Sequence, residues 1–233
     1  MIQPDERQGL ARAREQVLGR IEAAARRAGR DPGSVSLVAV TKTVPPERVR
    51  AAISAGLEVL GENRVREAAD KRPLAPGGTW HLVGPLQSNK AKRAIETFDV
   101  IESVDSTALA SRLSRINVQL GREPLPVFLQ VNVDADPAKA GFSPADLTAD
   151  LAAILDLAGL RVDGLMTIGR LASDREAARS TFVALRALGE RLRVIHGRLG
   201  PALSMGMSDD FEVAVEEGAT LVRVGRALFG ARP

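Results

Sequence analysis

Eight short β-branched runs, each followed by a segment of helical period, leave this chain few folds to choose from. The runs fall at residues 36–42, 57–62, 80–84, 100–104, 127–133, 162–168, 203–208 and 221–225. Strands that alternate with helices build parallel sheets, because each crossover helix covers one face of the sheet. Eight such units predict an α/β fold, a single (β/α)8 TIM-type barrel. An open doubly wound sheet is the alternative, but no G-x-G-x-x-G turn follows any strand. Residues 5–28 precede the first strand. They read as an extra amphipathic helix with Leu10, Val17, Leu18, Ile21 and Ala25 on one face.

Local signals mark the other helices. Pro45-Pro46 opens one that carries Val49 and Ile53, and a short one starts at about Val65. Ser88, Ser106 and Ser143 are expected N-caps. Ser173-Asp174-Arg175-Glu176 has the form of a capping box, and Asp209, Asp210 and Glu212 suit the first turn of another helix. No Gly/Ser/Pro-rich linker divides the sequence, so residues 1–233 are expected to form one domain.

Composition narrows the chemistry. Of 233 residues, 45% are hydrophobic and only 3% aromatic, and the formal net charge is +3. That is not the basic, aromatic-interleaved surface of a nucleic-acid binder. There is no Cys, which excludes disulfides and thiolate catalysis. His81 and His196 are the two imidazoles, too few for a His-rich metal site. No apolar run is long enough to span a bilayer, and Met1–Arg7 lacks the apolar core of a signal peptide. A cytoplasmic location is the expectation.

In a barrel of this kind, sites form where the strands end. Those ends carry Lys42, Asn63, Gly84-Pro85, Ser103, Asn132, Thr167, Ser204 to Ser208 and Arg223 to Gly225. A half-buried lysine there can serve as a Schiff-base amine; otherwise Lys42 is a solvated strand end. Ser208 precedes a helix and Gly225-Arg226 follow the last strand, which predicts a phosphate site between the last two loops. The plainer alternative is an N-cap and a tight turn. Arg223 lies between Val222 and Val224, so it faces opposite to both. In the lumen it needs a ligand or a carboxylate; on the outer face it is a surface charge. Lys90, Lys92 and Arg93 read as a solvated face.

Taken together, several motifs resemble the pyridoxal phosphate homeostasis protein family. They are Val38-Ala39-Val40-Thr41-Lys42, Gly61-Glu62-Asn63, Trp80 to Lys90, Ser204-Met205-Gly206-Met207-Ser208-Asp209-Asp210 and Val222-Arg223-Val224-Gly225. The match runs from about residue 5 to the end. It implies a barrel like the N-terminal domain of alanine racemase, with pyridoxal 5′-phosphate (PLP) held as an aldimine on Lys42. It further implies that Arg223 faces the pyridine nitrogen and that Asn63 lines the ring pocket. Ser204, Ser208, Gly225 and Arg226 are implied around the phosphate. Two positions depart from the family pattern. Arg226 stands where Thr or Ser is common, and Arg64 where an aromatic is common.

The resemblance implies a PLP carrier acting in vitamin B6 homeostasis, with apo-enzymes as possible recipients. A PLP-dependent racemase is the alternative. It needs a second acid/base opposite the lysine, a tyrosine in alanine racemases, and this chain has no Tyr. A Schiff-base aldolase would want acid/base groups near the amine, and no set stands out. With no exposed apolar face evident, a monomer is expected.

Overall fold

The computed structural model describes residues 4–169 and 175–230. Helix α1 (Pro4–Arg27) has acids in its first turn and arginines in its last, as the helix dipole favours. It buries Leu10, Val17, Ile21, Ala24 and Ala25. Eight parallel strands follow: β1 (Ser36–Val40), β2 (Val59–Glu62), β3 (Thr79–Leu82), β4 (Val100–Val104), β5 (Leu125–Gln130), β6 (Leu160–Met166), β7 (Ala202–Met207) and β8 (Leu221–Val224). They close in sequence order, with β8 pairing back onto β1 and Val38 in register with Arg223. The closed barrel rules out the open doubly wound sheet.

Helices α2 (Pro46–Ser54), α3 (Val65–Lys71), α4 (Ala91–Thr97), α5 (Thr107–Gln119), α6 (Pro144–Leu155), α7 (Arg179–Ile195), α8 (Phe211–Glu216) and α9 (Arg226–Phe229) complete the fold. The main core includes Leu60, Trp80, Ile101, Leu129, Leu165 and Val222 from the strands, and Leu113, Leu151, Phe182 and Phe211 from the helices. Burying a side chain of this size stabilises the fold by about 1.5–3 kcal/mol.

Two expected caps form. Ser106 Oγ accepts from the Leu109 N–H at 3.3 Å and Ser143 Oγ from the Asp146 N–H at 3.0 Å. Ser88 differs: it opens a 3₁₀ turn (Ser88–Lys90) and α4 starts after it, with no side-chain cap. Asp210 likewise precedes α8 without capping it; its Oδ1 accepts from the Met207 N–H at 2.6 Å instead. Ser173 and Asp174 lie outside the described residues. Strand limits shift by a residue or two from the sequence reading. The shift matters most at β1, which ends at Val40 and leaves Lys42 in the turn beyond.

Candidate functional site

The turn after β1 is shaped by a buried ionic cluster. Lys71, at the end of α3, is almost fully buried. Its Nζ donates to the Thr41 carbonyl at 2.8 Å, to Glu62 Oε1 at 2.8 Å and to Glu67 Oε1 at 2.6 Å. Thr41 Oγ1 donates to Glu62 Oε1 at 2.7 Å, and the Thr43 N–H donates to Glu67 Oε1 at 2.5 Å. The residues on both sides of Lys42 are therefore fixed from below. Thr43 has φ +65°, a left-handed conformation that β-branched residues avoid. Burial pushes the Glu62 carboxyl above its ordinary range, against the pull of Lys71 and Thr41. Burial also acts on Glu67, but its hydrogen bonds from Lys71 and the Thr43 N–H prevail and hold it below that range.

A second polar chain crosses the barrel interior. Arg223 points into the lumen and is 5% exposed. Its Nη1 donates to Ser204 Oγ at 2.7 Å and its Nη2 to the Thr167 carbonyl at 2.8 Å. Ser204 Oγ in turn donates to Glu102 Oε2 at 2.5 Å, and Glu102 Oε1 lies 2.6 Å from His81 Nδ1. Burial pulls the Arg223 guanidinium down from its ordinary value, opposed by the charges of Glu102 and Asp210. Burial would raise Glu102, yet the hydrogen bond and charge of His81, the charge of Arg223 and the Ser204 hydroxyl outweigh it. Glu102 therefore stays below the ordinary range. The lumen arginine is thus joined to a buried carboxylate through the Ser204 hydroxyl, not by a direct ion pair.

Ser204 and Ser208 end up at different levels. The β7–β8 pairing shifts register between Ser204 and Met207. Inside that irregularity Gly206 has φ +90°, and a Cβ there would sit 2.5 Å from the Ala214 Cβ, so only glycine fits. Below the shift, Ser204 is fully buried with its hydroxyl held by Glu102 and Arg223. Above it, Ser208 is partly exposed, and its Oγ accepts from the Gly225 N–H at 3.3 Å. The two loops expected to bind phosphate are therefore in contact. Arg226 adds a second link, with Nη2 at 2.6 Å from Asp209 Oδ2.

Beside these loops a cleft of about 470 Å³ opens at the mouth. Lys42, Arg48, Gly225 and Arg226 line it, over an apolar floor that includes Val40, Val44 and Phe229. Among the described residues, no acid lines it. Asn63 is half-buried where β2 ends. Gly84 lets the end of β3 pass against it, since a Cβ at Gly84 would meet the Asn63 carbonyl at 2.3 Å. Lys90, Lys92 and Arg93 are exposed, as the sequence reading had them. The arrangement suits an aldehyde that bears a phosphate: an amine and guanidinia at the cleft, backbone N–H groups at two loops, and a buried cation in the lumen. Among the described residues no cluster of His, Asp or Glu could hold a metal ion, and no helix is long and apolar enough to cross a membrane.

Residues 15–233 match the family model described as the alanine racemase N-terminal domain. The pyridoxal phosphate homeostasis protein of Pseudomonas aeruginosa is 46% identical over 223 residues, covering 93% of each chain. The chain belongs to this family. The family member of that name from Escherichia coli K12 is 41% identical over 228 residues, covering 93% of this chain and 94% of its own. Among solved structures, PipY of Synechococcus elongatus PCC7942 with PLP bound superposes at a TM-score of 0.80. It shares 44% identity and covers 91% of this chain and all of its own.

Sequence reasoning missed Glu102, Glu67, Lys71 and Arg48. Glu102 had a usable signal: a carboxylate in a strand, between apolar Ile101 and Ser103, needs a partner on its own face. Lys71 had no such signal: Glu67 four positions before it on the same helix is the spacing of an ordinary surface pair.

Proposed function

We propose that this protein binds PLP, holds it reversibly as a Schiff base on Lys42 Nζ and serves PLP homeostasis without efficient catalysis of its own. The observation that carries the reading is the cleft itself, in which Lys42 and the Gly225-Arg226 turn share an acid-free wall. The relatives' names and the PLP-bound structure of PipY support it. The bound cofactor would supply an electrophilic carbonyl and a conjugated ring. This chain would supply the amine, the anion-binding loops and the charge facing the ring.

In this reading Ser208, Gly225 and Arg226 surround the phosphate, and Asn63 lines the ring pocket. Arg223 faces the pyridine nitrogen. Ser204 is assigned to positioning Arg223, because its one proton goes to Glu102. An arginine at that nitrogen keeps it unprotonated and weakens the ring as an electron sink. A racemase would also need a second proton donor and acceptor. His81, the nearest stand-in for the missing tyrosine, is buried against Glu102. The protein acts in the cytoplasm as a monomer and passes PLP to apo-enzymes.

Purified protein should be yellow, and borohydride should bleach it and fix one cofactor-sized adduct on Lys42. Lys42→Ala should abolish that adduct. Peptide mapping that places the adduct on Lys90 or Lys139 would overturn the assignment. A concentration-independent dimer in light scattering would overturn the monomer.

A further inference from the structure

We infer that Arg226 and Asp209 form an exchangeable latch over the phosphate loops, and that an arriving phosphomonoester dianion takes the Arg226 guanidinium away from Asp209. The inference rests on the PLP reading above and adds to it how this chain admits and retains its ligand.

Three observations carry it. Arg226 lines the same cleft as Lys42, yet its Nη2 is held 2.6 Å from Asp209 Oδ2 on the neighbouring loop. Both partners are largely exposed, 64% and 71% by side chain, so the pair is weak and can exchange. The cleft also carries a second cation. Arg48 on its other wall has an Nε that is shielded from solvent and donates no hydrogen bond. That Nε is ion-paired with Glu6 Oε1 at 3.4 Å, a partly exposed and exchangeable contact, and the guanidinium lies 5.8 Å from the Phe229 ring centroid. A dianion offers Arg226 two charges and bidentate geometry where Asp209 offers one charge. The Ser208–Gly225 contact keeps the two loops together while the guanidinium changes partner.

The two partners therefore have opposite effects on the ligand. Asp209 competes with the phosphate and Arg226 holds it. A purely structural ion pair would instead make both substitutions act alike.

The test compares the unmodified protein with Arg226→Gln and Asp209→Asn. Binding of PLP, of pyridoxal and of inorganic phosphate is measured by absorbance and by calorimetry. Circular dichroism checks folding, which an exposed pair leaves intact. Arg226→Gln should weaken PLP about two- to fivefold, and Asp209→Asn should tighten it by about the same factor, the scale of an exposed ion pair. Both effects should fade in high salt. Pyridoxal, which has no phosphate, should bind all three proteins alike. Inorganic phosphate should follow the same order as PLP. If PLP binds the unmodified protein but both variants weaken it, or neither changes it, the latch is wrong and the PLP reading stands. If inorganic phosphate shows the predicted order while PLP does not bind, the latch stands and the PLP reading falls. If neither anion binds, both are overturned.

Discussion

Lys71 Nζ sits 2.8 Å from the carbonyl oxygen of Thr41, one residue ahead of Lys42. The reactive lysine of the proposed site is thus aimed by a second lysine that never reaches the cleft. Glu67, which Lys71 also holds, grips the Thr43 N–H on the other side.

Removing that grip should slow chemistry at Lys42. Lys71→Met alone would leave Glu62 buried and unpaired, at a cost of about 3–5 kcal/mol. The double variant Lys71→Met, Glu62→Met removes both charges and should fold. Its adduct with PLP should form about tenfold more slowly in stopped-flow absorbance, because a mispositioned group loses its orientational advantage. An unchanged rate in the folded double variant would show that the cluster serves stability alone.

Thr43 carries strain that a substitution can release. A non-glycine residue held in a sparsely populated conformation costs about 1–3 kcal/mol. Glycine removes that strain, at an entropic cost of about 0.5–1 kcal/mol in the unfolded chain. Thr43→Gly should therefore raise stability by about 1 kcal/mol in urea unfolding, while loosening the turn. A loss of stability would mean that the threonine side chain contributes more than its backbone costs.

The buried carboxylates predict opposite pH trends. Glu102 is held below the ordinary glutamate value of 4.5, so its contribution is complete above that pH and is lost as pH falls through its folded value. Glu62 is raised above 4.5, so its contribution is present below that pH and is lost as pH rises through its folded value. The stability gap between the unmodified protein and Glu102→Gln should narrow on acidification. The gap for Glu62→Gln should move in the unmodified protein's favour. Urea midpoints across a pH series measure both, and parallel trends would contradict the assignment.

Racemisation of alanine or serine should stay at the free-cofactor background. Cα-deuterium exchange in heavy water should be equally slow. One positioned acid/base is worth roughly 10²- to 10⁴-fold, and the chain has no Tyr to act as the second. Arg223→Glu should change the colour or the retention of the cofactor, because it reverses the charge next to Ser204 and Glu102. It should not create efficient turnover. Robust racemisation by the unmodified protein would force a search for a hidden base, starting at His81.

Much of the fold was legible because parallel strands covered on both faces read as unbroken apolar runs. The Ser106 and Ser143 caps were legible because capping is local. What lies across the barrel was not. Glu102, Ser204 and Arg223 come from β4, β7 and β8, and no spacing in the chain announces that they touch. Ser204 and Ser208 sit in one motif and looked like one site. The irregularity at Gly206 separates them, and it depends on how tightly α8 packs beneath the turn. Lys71 was not singled out, because the roof over it comes from the turn after β1, thirty residues away.

The β1–β8 pairing has a consequence for biosynthesis. The cleft straddles that seam, with Lys42 on one side and Gly225 and Arg226 on the other. Most of the chain lies between them, so the site forms only when β8 meets β1. A nascent chain that has exposed Lys42 but not β8 has an amine and no phosphate loop, and it would not retain PLP. Any ligand held at the seam binds only the closed state and so opposes its reopening by mass action. Retention of the cofactor would then report that β8 has closed onto β1.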